Sequence, residues 1–242
     1  MNRGMVKVIA LRGLASVVVL SSACQAQAQG AKTLYPSMAP VGQYMMERQA
    51  EIALARSAAP ESLSRDAEIL VIGQHGYETA VKGKNGFMCL VERSWTAGIE
   101  DPDFWNPKIR AAICFNPAAA RSYVPITVKK TELILAGSSK AQMVEHINAA
   151  FEKKELPMPE SGAMCYMLSS QSYLNDRDGH WHPHLMFFVP QTDAATWGAD
   201  LPGSPILASA DTLDRMTVFL VPVGQWSDGT AAPPMEPFMK ND

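Results

Sequence analysis

The sequence has no apolar run after its first 20 residues that approaches the ~20 residues of a membrane-spanning helix, so no span is expected once a leader is removed. It also has no excess of positive charge: 21 Lys and Arg stand against 24 Asp and Glu, a formal net charge of −3. Affinity for nucleic acid comes mainly from neutralising phosphates with Lys and Arg, and this balance argues against such a partner. Cysteine is scarce, at 4 of 242 residues, and no two cysteines form a CxxC pair for zinc or disulfide exchange. GxSxG, P-loop, dinucleotide-binding and HExxH patterns are all absent.

What is present begins at the amino terminus. Arg3, Lys7 and Arg12 precede an apolar stretch at residues 14–20 and then small residues, the order of a secretory signal peptide. Ala26-Gln27-Ala28 places the expected cleavage after Ala28, which makes residues 1–28 the leader and the protein exported, either periplasmic or secreted. The alternative reads Leu20-Ser21-Ser22-Ala23-Cys24 as a lipobox, with Cys24 acylated and the protein tethered to a membrane. Removing residues 1–28 takes away three cations and no anions, so −3 becomes −6. The remainder suits one domain with a real core. In an oxidising compartment its three cysteines suggest one bridge and a spare thiol, or three buried thiols. Cys89–Cys114 is the first choice for a bridge, since it would pin the segment between them, and Cys165 then reads as an inert buried thiol.

Along the chain, residues 29–39 read as a flexible lead-in and residues 40–57 as a helix ending before Pro60. Residues 67–72 read as a strand, and 77–82 with 87–92 as a hairpin turning at Asn85-Gly86. Residues 94–125 are rich in aromatics and proline and read as a long packed surface loop. Ser139 and Gln142 form a capping-box pattern that opens a helix over 139–154, with Met143, Ile147, Ala150 and Phe151 at helical spacing. Residues 163–168, 184–190 and 216–223 complete the strands, and 227–242 form a Pro-rich tail. The expectation is an α+β fold: a single domain over 40–226 with a largely antiparallel sheet, two main helices and long surface loops.

The densest chemistry is GHWHPHLMFF at residues 179–188, which carries three of the five histidines. Strand alternation would put His180, His182 and His184 on one face, with Pro183 marking the strand's start or an edge. Two histidines at i and i+2 stand ~6.6 Å apart at Cα and can close on a divalent ion such as zinc, whereas three need a bend. The expected metal set is therefore His180, His182 and His184, against the plainer reading of a polar strand lead-in. His75 is a further ligand candidate and Asp178 a carboxylate partner for the histidines, while His146 reads as structural. Residues 175–179 resemble half of a calcium loop without its distal glutamate. Trp95, Phe104 and Trp105 could line a ligand groove or pack their loop down.

HWHPHLM is similar to the histidine triad motif, and the HPH core to that superfamily's uridylyltransferase branch. The resemblance covers about seven residues and implies phosphoester hydrolysis or transfer with His182 as nucleophile and His180 or His184 in support. HWHP also resembles the HxH of cupins, though no glutamate follows at the required spacing. His75 before a late HxH resembles zinc peptidases of the cell wall, but Lys82 stands where their aspartate would fall. NGFMCLVERSW, FWNPKIR, ICFNP and the GHWHPHLMFF segment resemble a family of exported bacterial proteins, which implies export and carries no activity. Three functions follow as expectations: an exported envelope protein binding a divalent metal, a triad-like phosphoester enzyme, or a non-enzymatic envelope protein that binds a partner through exposed Phe104 and Trp105.

Overall fold

The computed structural model describes residues 34–176, 179 and 182–234. The leader with Cys24, the start of the lead-in, Asp178, His180 and the end of the Pro-rich tail lie outside the described residues.

Short runs of β-branched and apolar residues form one eight-stranded sheet among the described residues. Its strands are β1 (Glu68–Ile72), β2 (Tyr77–Val81), β3 (Met88–Glu92), β4 (Ala111–Phe115), β5 (Met164–Met167), β6 (His184–Pro190), β7 (Leu207–Asp211) and β8 (Met216–Pro222). They lie in the order β2-β1-β3-β4-β5-β6-β8-β7. β1 and β3 run parallel, and every other neighbouring pair is antiparallel. The helices are α1 (Arg48–Arg56), α2 (Glu61–Ser64), α3 (Pro117–Ser122), α4 (Val124–Leu135) and α5 (Lys140–Glu152). The fold is α+β, in one domain.

Four local expectations need correction. The 40–57 helix is broken: a 3-10 turn at Val41–Gln43 precedes Tyr44, and α1 starts only at Arg48. Buried Tyr44 donates its hydroxyl to the Trp105 carbonyl at 2.9 Å, and its own carbonyl accepts from Arg93 Nε at 2.7 Å. A continuous helix would orient the Tyr44 carbonyl along its axis rather than toward Arg93, and the Glu47 carboxylate caps the new start at Gln49 and Ala50. The hairpin pairs β1 with β2 rather than β2 with β3. Asn85-Gly86 instead turns the chain across into the parallel β1/β3 pair: the Asn85 side chain accepts from the Phe87 amide, and Gly86 has φ +77°. Residues 94–125 are not one loop, because they contain β4, buried throughout, and α3. Finally, three helices of seven or more residues are present, the added one being α4.

The capped helix is as expected. Ser139 and Gln142 form the full capping box at α5, and Met143, Ile147, Ala150 and Phe151 are buried.

Alternation along the strands sorts side chains between two cores. On one face, Leu70, Leu90, Ile113, Phe115 and Phe188 pack under Ile126 and Ile134 of α4 and Met143 and Ile147 of α5. On the other, Ile69, Val71, Val91 and Ala112 pack against Ile52 and Ala55 of α1. Cys89 and Cys114 sit directly opposite each other in β3 and β4 on the α1 face and form a disulfide. The bridge ties together the two ends of residues 90–113, and Cys165 is left free and buried. Among the described residues, no helix is long and apolar enough to cross a membrane.

Candidate functional site

β3 ends at Glu92, and Arg93 follows it still extended, so alternation sends the two to opposite faces of the sheet, Glu92 toward α4 and Arg93 toward α1. Arg93 is fully satisfied: its guanidinium donates to Glu51 Oε1 at 2.8 Å, the Tyr44 carbonyl at 2.7 Å and the Val91 carbonyl at 2.6 Å. Glu92 has no such cation. Its Oε1 accepts from Thr127 Oγ1 at 3.0 Å, and its Oε2 lies 3.1 Å from Thr96 Oγ1, whose one hydrogen is shared with the Arg93 carbonyl at 2.9 Å; both hydroxyls are buried. Burial pushes its carboxyl up to about 7, against partial relief from the two threonines and from Lys130 nearby.

Lys130 is itself occupied. Its Nζ lies 2.7 Å from Asp214 Oδ2, and both side chains are almost wholly buried. Burial also raises the Asp214 carboxyl, to about 6. Three buried carboxylates thus share this end of the domain, and Glu92 alone among them lacks a direct ion pair.

Glu92 lies on the wall of a cavity of about 530 Å³. Residues 94–103, which follow β3, form one side, and the opposite side comes from Met167 of β5, Met186 of β6, Val218 and Leu220 of β8 and residues 209–212. Ser94 contributes to this wall, and its buried Oγ has no hydrogen-bond partner among the described residues. The ring of Tyr123 also lines the cavity. Desolvation, with the carboxyls of Glu92, Asp214 and Asp211 nearby, raises its phenol well above the ordinary range. The cavity is of the size and mostly apolar character of a small-molecule site, with convergent polar groups on one wall. Chemically, a carboxyl near neutrality can give or take a proton, which an ordinary surface glutamate rarely does at pH 7.

Of the histidine segment, Met186 lines this cavity, while His182 and His184 lie near it without lining it. β6 begins at His184, directly after Pro183, as alternation and the proline indicated. His184 is on the same sheet face as the wall residue Met186 and pairs across to the wall residue Met167. Its ring is buried, its Nδ1 is 2.8 Å from the His182 carbonyl, and desolvation pushes it down to about 4, so it is neutral at pH 7. His182 is partly exposed, just before the strand. His75 sits exposed in the β1–β2 turn, four strand spacings or roughly 19 Å from β6, and is not brought to the other histidines. His146 is exposed on α5. Among the described residues no group of three His, Cys, Asp or Glu side chains is placed to hold a metal.

The remaining candidates are structural. Asp176, in the calcium-like segment, accepts from Tyr35, from Tyr173 at 2.5 Å, from Lys108 at 3.1 Å and from Asn106 at 3.3 Å. It ties the lead-in to residues 106–108, and those donors hold its carboxyl below the usual range. Trp95 is buried and donates to Thr131 Oγ1 at 3.0 Å, while Phe104 is buried edge-on to a partly buried Trp105. Phe104 therefore does not present the exposed face that partner docking would require. Cys165 is buried, and desolvation raises its thiol well above the ordinary range, which suits an inert core thiol.

Sequence reasoning missed Glu92, Ser94, Tyr123, Thr127, Lys130 and Asp214. A signal existed in VPITVKKTELIL, where Thr127, Lys130 and Thr131 interrupt the buried stripe of a helix and call for buried polar partners. Comparison with protein-family models, curated proteins and solved structures finds no match.

Proposed function

We propose that this is a small-molecule-binding domain of an exported protein, with its ligand held in the cavity beside residues 94–103 and engaged by Glu92. One observation carries the reading: Glu92 is a buried carboxyl on a cavity wall with two hydroxyl donors and no cation, while its buried neighbours Glu51 and Asp214 are each ion-paired. Burying a carboxyl without a cation costs stability, and such groups concentrate where a ligand or a reaction uses them. A library of small organic compounds screened by ligand-observed NMR tests it, with two variants in parallel. Glu92→Gln removes the ionisable group, and Ala210→Trp narrows an exposed part of the wall. Bound compounds should lose at least tenfold in affinity in Ala210→Trp, and those that engage the Glu92 carboxyl should lose it in Glu92→Gln as well. Compounds that bind all three proteins equally, or a screen with no binder, would overturn the reading.

A divalent metal at His180, His182 and His184 is the second reading, favoured by the Nδ1 contact from His184 to the His182 carbonyl. Metal-bound imidazoles are commonly oriented by such a bond from the other ring nitrogen. Protein purified from the envelope fraction without a tag should show the mass of residues 29–242 and carry about one zinc, reduced severalfold in His182→Ala. Equal, negligible metal in both would remove this reading, and a diacylated Cys24 would replace cleavage after Ala28 with the lipoprotein.

A further inference from the structure

We propose that the ligand of this cavity is a compact organic amine, bound as its ammonium ion with the charge toward Glu92 and Ser94 and an apolar body against Met167, Met186 and Leu220. The inference rests on the small-molecule reading above and adds the chemical class.

The acidic residues on the wall are Glu92, Glu100, Asp101, Asp103 and Asp211, against the one basic residue Arg93. Arg93 cannot serve an anionic ligand, because its guanidinium is turned to the α1 face and held by Glu51 and two carbonyls. The nearest other cation, Lys130, is bound to Asp214. An anion entering here would lose its water and meet a wall whose carboxylates outnumber its one cation, with only neutral hydroxyls to offset the cost. An ammonium ion meets the opposite situation. It would supply the cation that Glu92 lacks, and the unpartnered Ser94 Oγ is an acceptor for one of its N–H groups. The acidic residues alone would only make a negative mouth; the buried Glu92 carboxyl on the wall, with hydroxyl contacts and no cation, is what favours a cationic occupant.

Binding of an ammonium would favour the ionised form of Glu92, so at pH 6 it should release a proton that it does not release at pH 8.5. The groups facing Glu92 in this balance are Thr127 and Lys130 of α4, Thr96, Asp214 of the β7–β8 connection, Tyr123, Tyr77 of β2 and Cys165 of β5. Only Asp214 among them is brought near the same pH range, and its pairing with Lys130 is independent of the cavity.

The test uses three matched probes on the full exported chain: 2-phenylethylamine, 2-phenylethanol and 3-phenylpropanoate, by calorimetry in two buffers of different ionisation enthalpy. The amine should bind at least tenfold more tightly than the alcohol, and the carboxylate more weakly than either. Glu92→Gln should remove at least tenfold of the amine's affinity and leave the alcohol within threefold, while Ser94→Ala should weaken the amine severalfold. Should the alcohol or the carboxylate bind as well as the amine, or should Glu92→Gln weaken amine and alcohol alike, the amine assignment fails and the cavity reading stands. If none of the three binds, the amine assignment fails, and an empty library screen would then remove the cavity reading as well.

Discussion

At pH 8, Glu92→Gln should be more stable to urea than the wild-type protein by up to about 3 kcal/mol, and at pH 4 the two should be nearly equal. The Glu92 carboxyl is raised from 4.5 to about 7 in the folded state by burial. A carboxyl raised on folding binds its proton more tightly in the native protein. Its favourable contribution is therefore complete below about pH 4.5 and is lost as pH rises through 7. Glutamine keeps the shape and a hydrogen-bonding oxygen without ever ionising, so the variant escapes that loss.

The comparison has to be a difference between two proteins, because the wild-type profile mixes opposing groups. Asp214, raised from 3.8 to about 6, acts in the same direction as Glu92. His184, lowered from 6.5 to about 4, acts against them: its contribution is lost as pH falls from 6.5 toward 4, because the unfolded imidazole takes up a proton there first. Both remain in the variant and cancel from the difference. Urea midpoints at pH 4, 6 and 8, with m-values checked for constancy, measure it. A difference that does not change with pH would mean that Glu92 is ionised without penalty, and the site would lose its central group. A residue whose removal stabilises the fold is being kept for something other than folding, which is the pattern expected where activity and stability compete.

Legibility followed the range of the interactions involved. The α5 capping box was readable because Ser139 and Gln142 lie three residues apart and bond each other's backbone. The start of β6 was readable because Pro183 cannot donate into a ladder. β4 was hidden: AAICF is five residues long, lies between Pro107 and Pro117, and a run of that length carries no period that distinguishes a strand from a packed loop. α4 was hidden for a different reason. Pro125, which sits in its first turn, resembles the end of a segment, and the β-branched Val124, Ile126, Thr127 and Val128 are weak helix formers that only burial against the sheet holds in place. The Asn85-Gly86 dipeptide has the same local chemistry in a hairpin and in a crossover turn, so its partner strand was undecidable from the dipeptide alone.

The candidate site was less legible still, because what distinguishes Glu92 is the partner it does not have. Its hydroxyl donors are 4 and 35 residues away, and Asp214, which holds the nearby Lys130, comes from the far end of the chain. In the sequence Glu92 is one carboxylate beside an arginine and reads as half of a local pair. Strand alternation separates the two, and only the packed α4 and α1 show that Arg93 belongs to Glu51. The histidine cluster, by contrast, is conspicuous in sequence through proximity along the chain, and of its three members only His182 and His184 are among the described residues.

Arg93→Met should cost about 3–5 kcal/mol, the largest loss expected from any single change beside the cavity. The side chain is fully buried and makes three bonds, to Glu51, to the Tyr44 carbonyl and to the Val91 carbonyl. Methionine fills much of the volume, so the loss is electrostatic. It strands the Glu51 carboxylate, 1 % exposed, with only the Ile72 amide at 3.3 Å, and it leaves the Tyr44 carbonyl without its donor. The decisive measurement is the double variant Arg93→Met with Glu51→Met. Removing the stranded charge should recover at least 1 kcal/mol relative to Arg93→Met alone, because most of the single-variant loss is the cost of an unpaired buried carboxylate. A double variant less stable than the single one would show that Glu51 holds α1 to the sheet by its packing and backbone contact, with Arg93 incidental. The same pair bears on the cavity. Arg93 fixes the end of β3, from which residues 94–103 spring to form the cavity wall, and it does so from the face opposite the ligand. At temperatures where the Arg93→Met protein is still folded, compounds bound in the cavity should therefore lose affinity through the displaced wall while the pH dependence associated with Glu92 persists. Loss of that dependence as well would place Arg93 in the electrostatics of the site rather than beneath it.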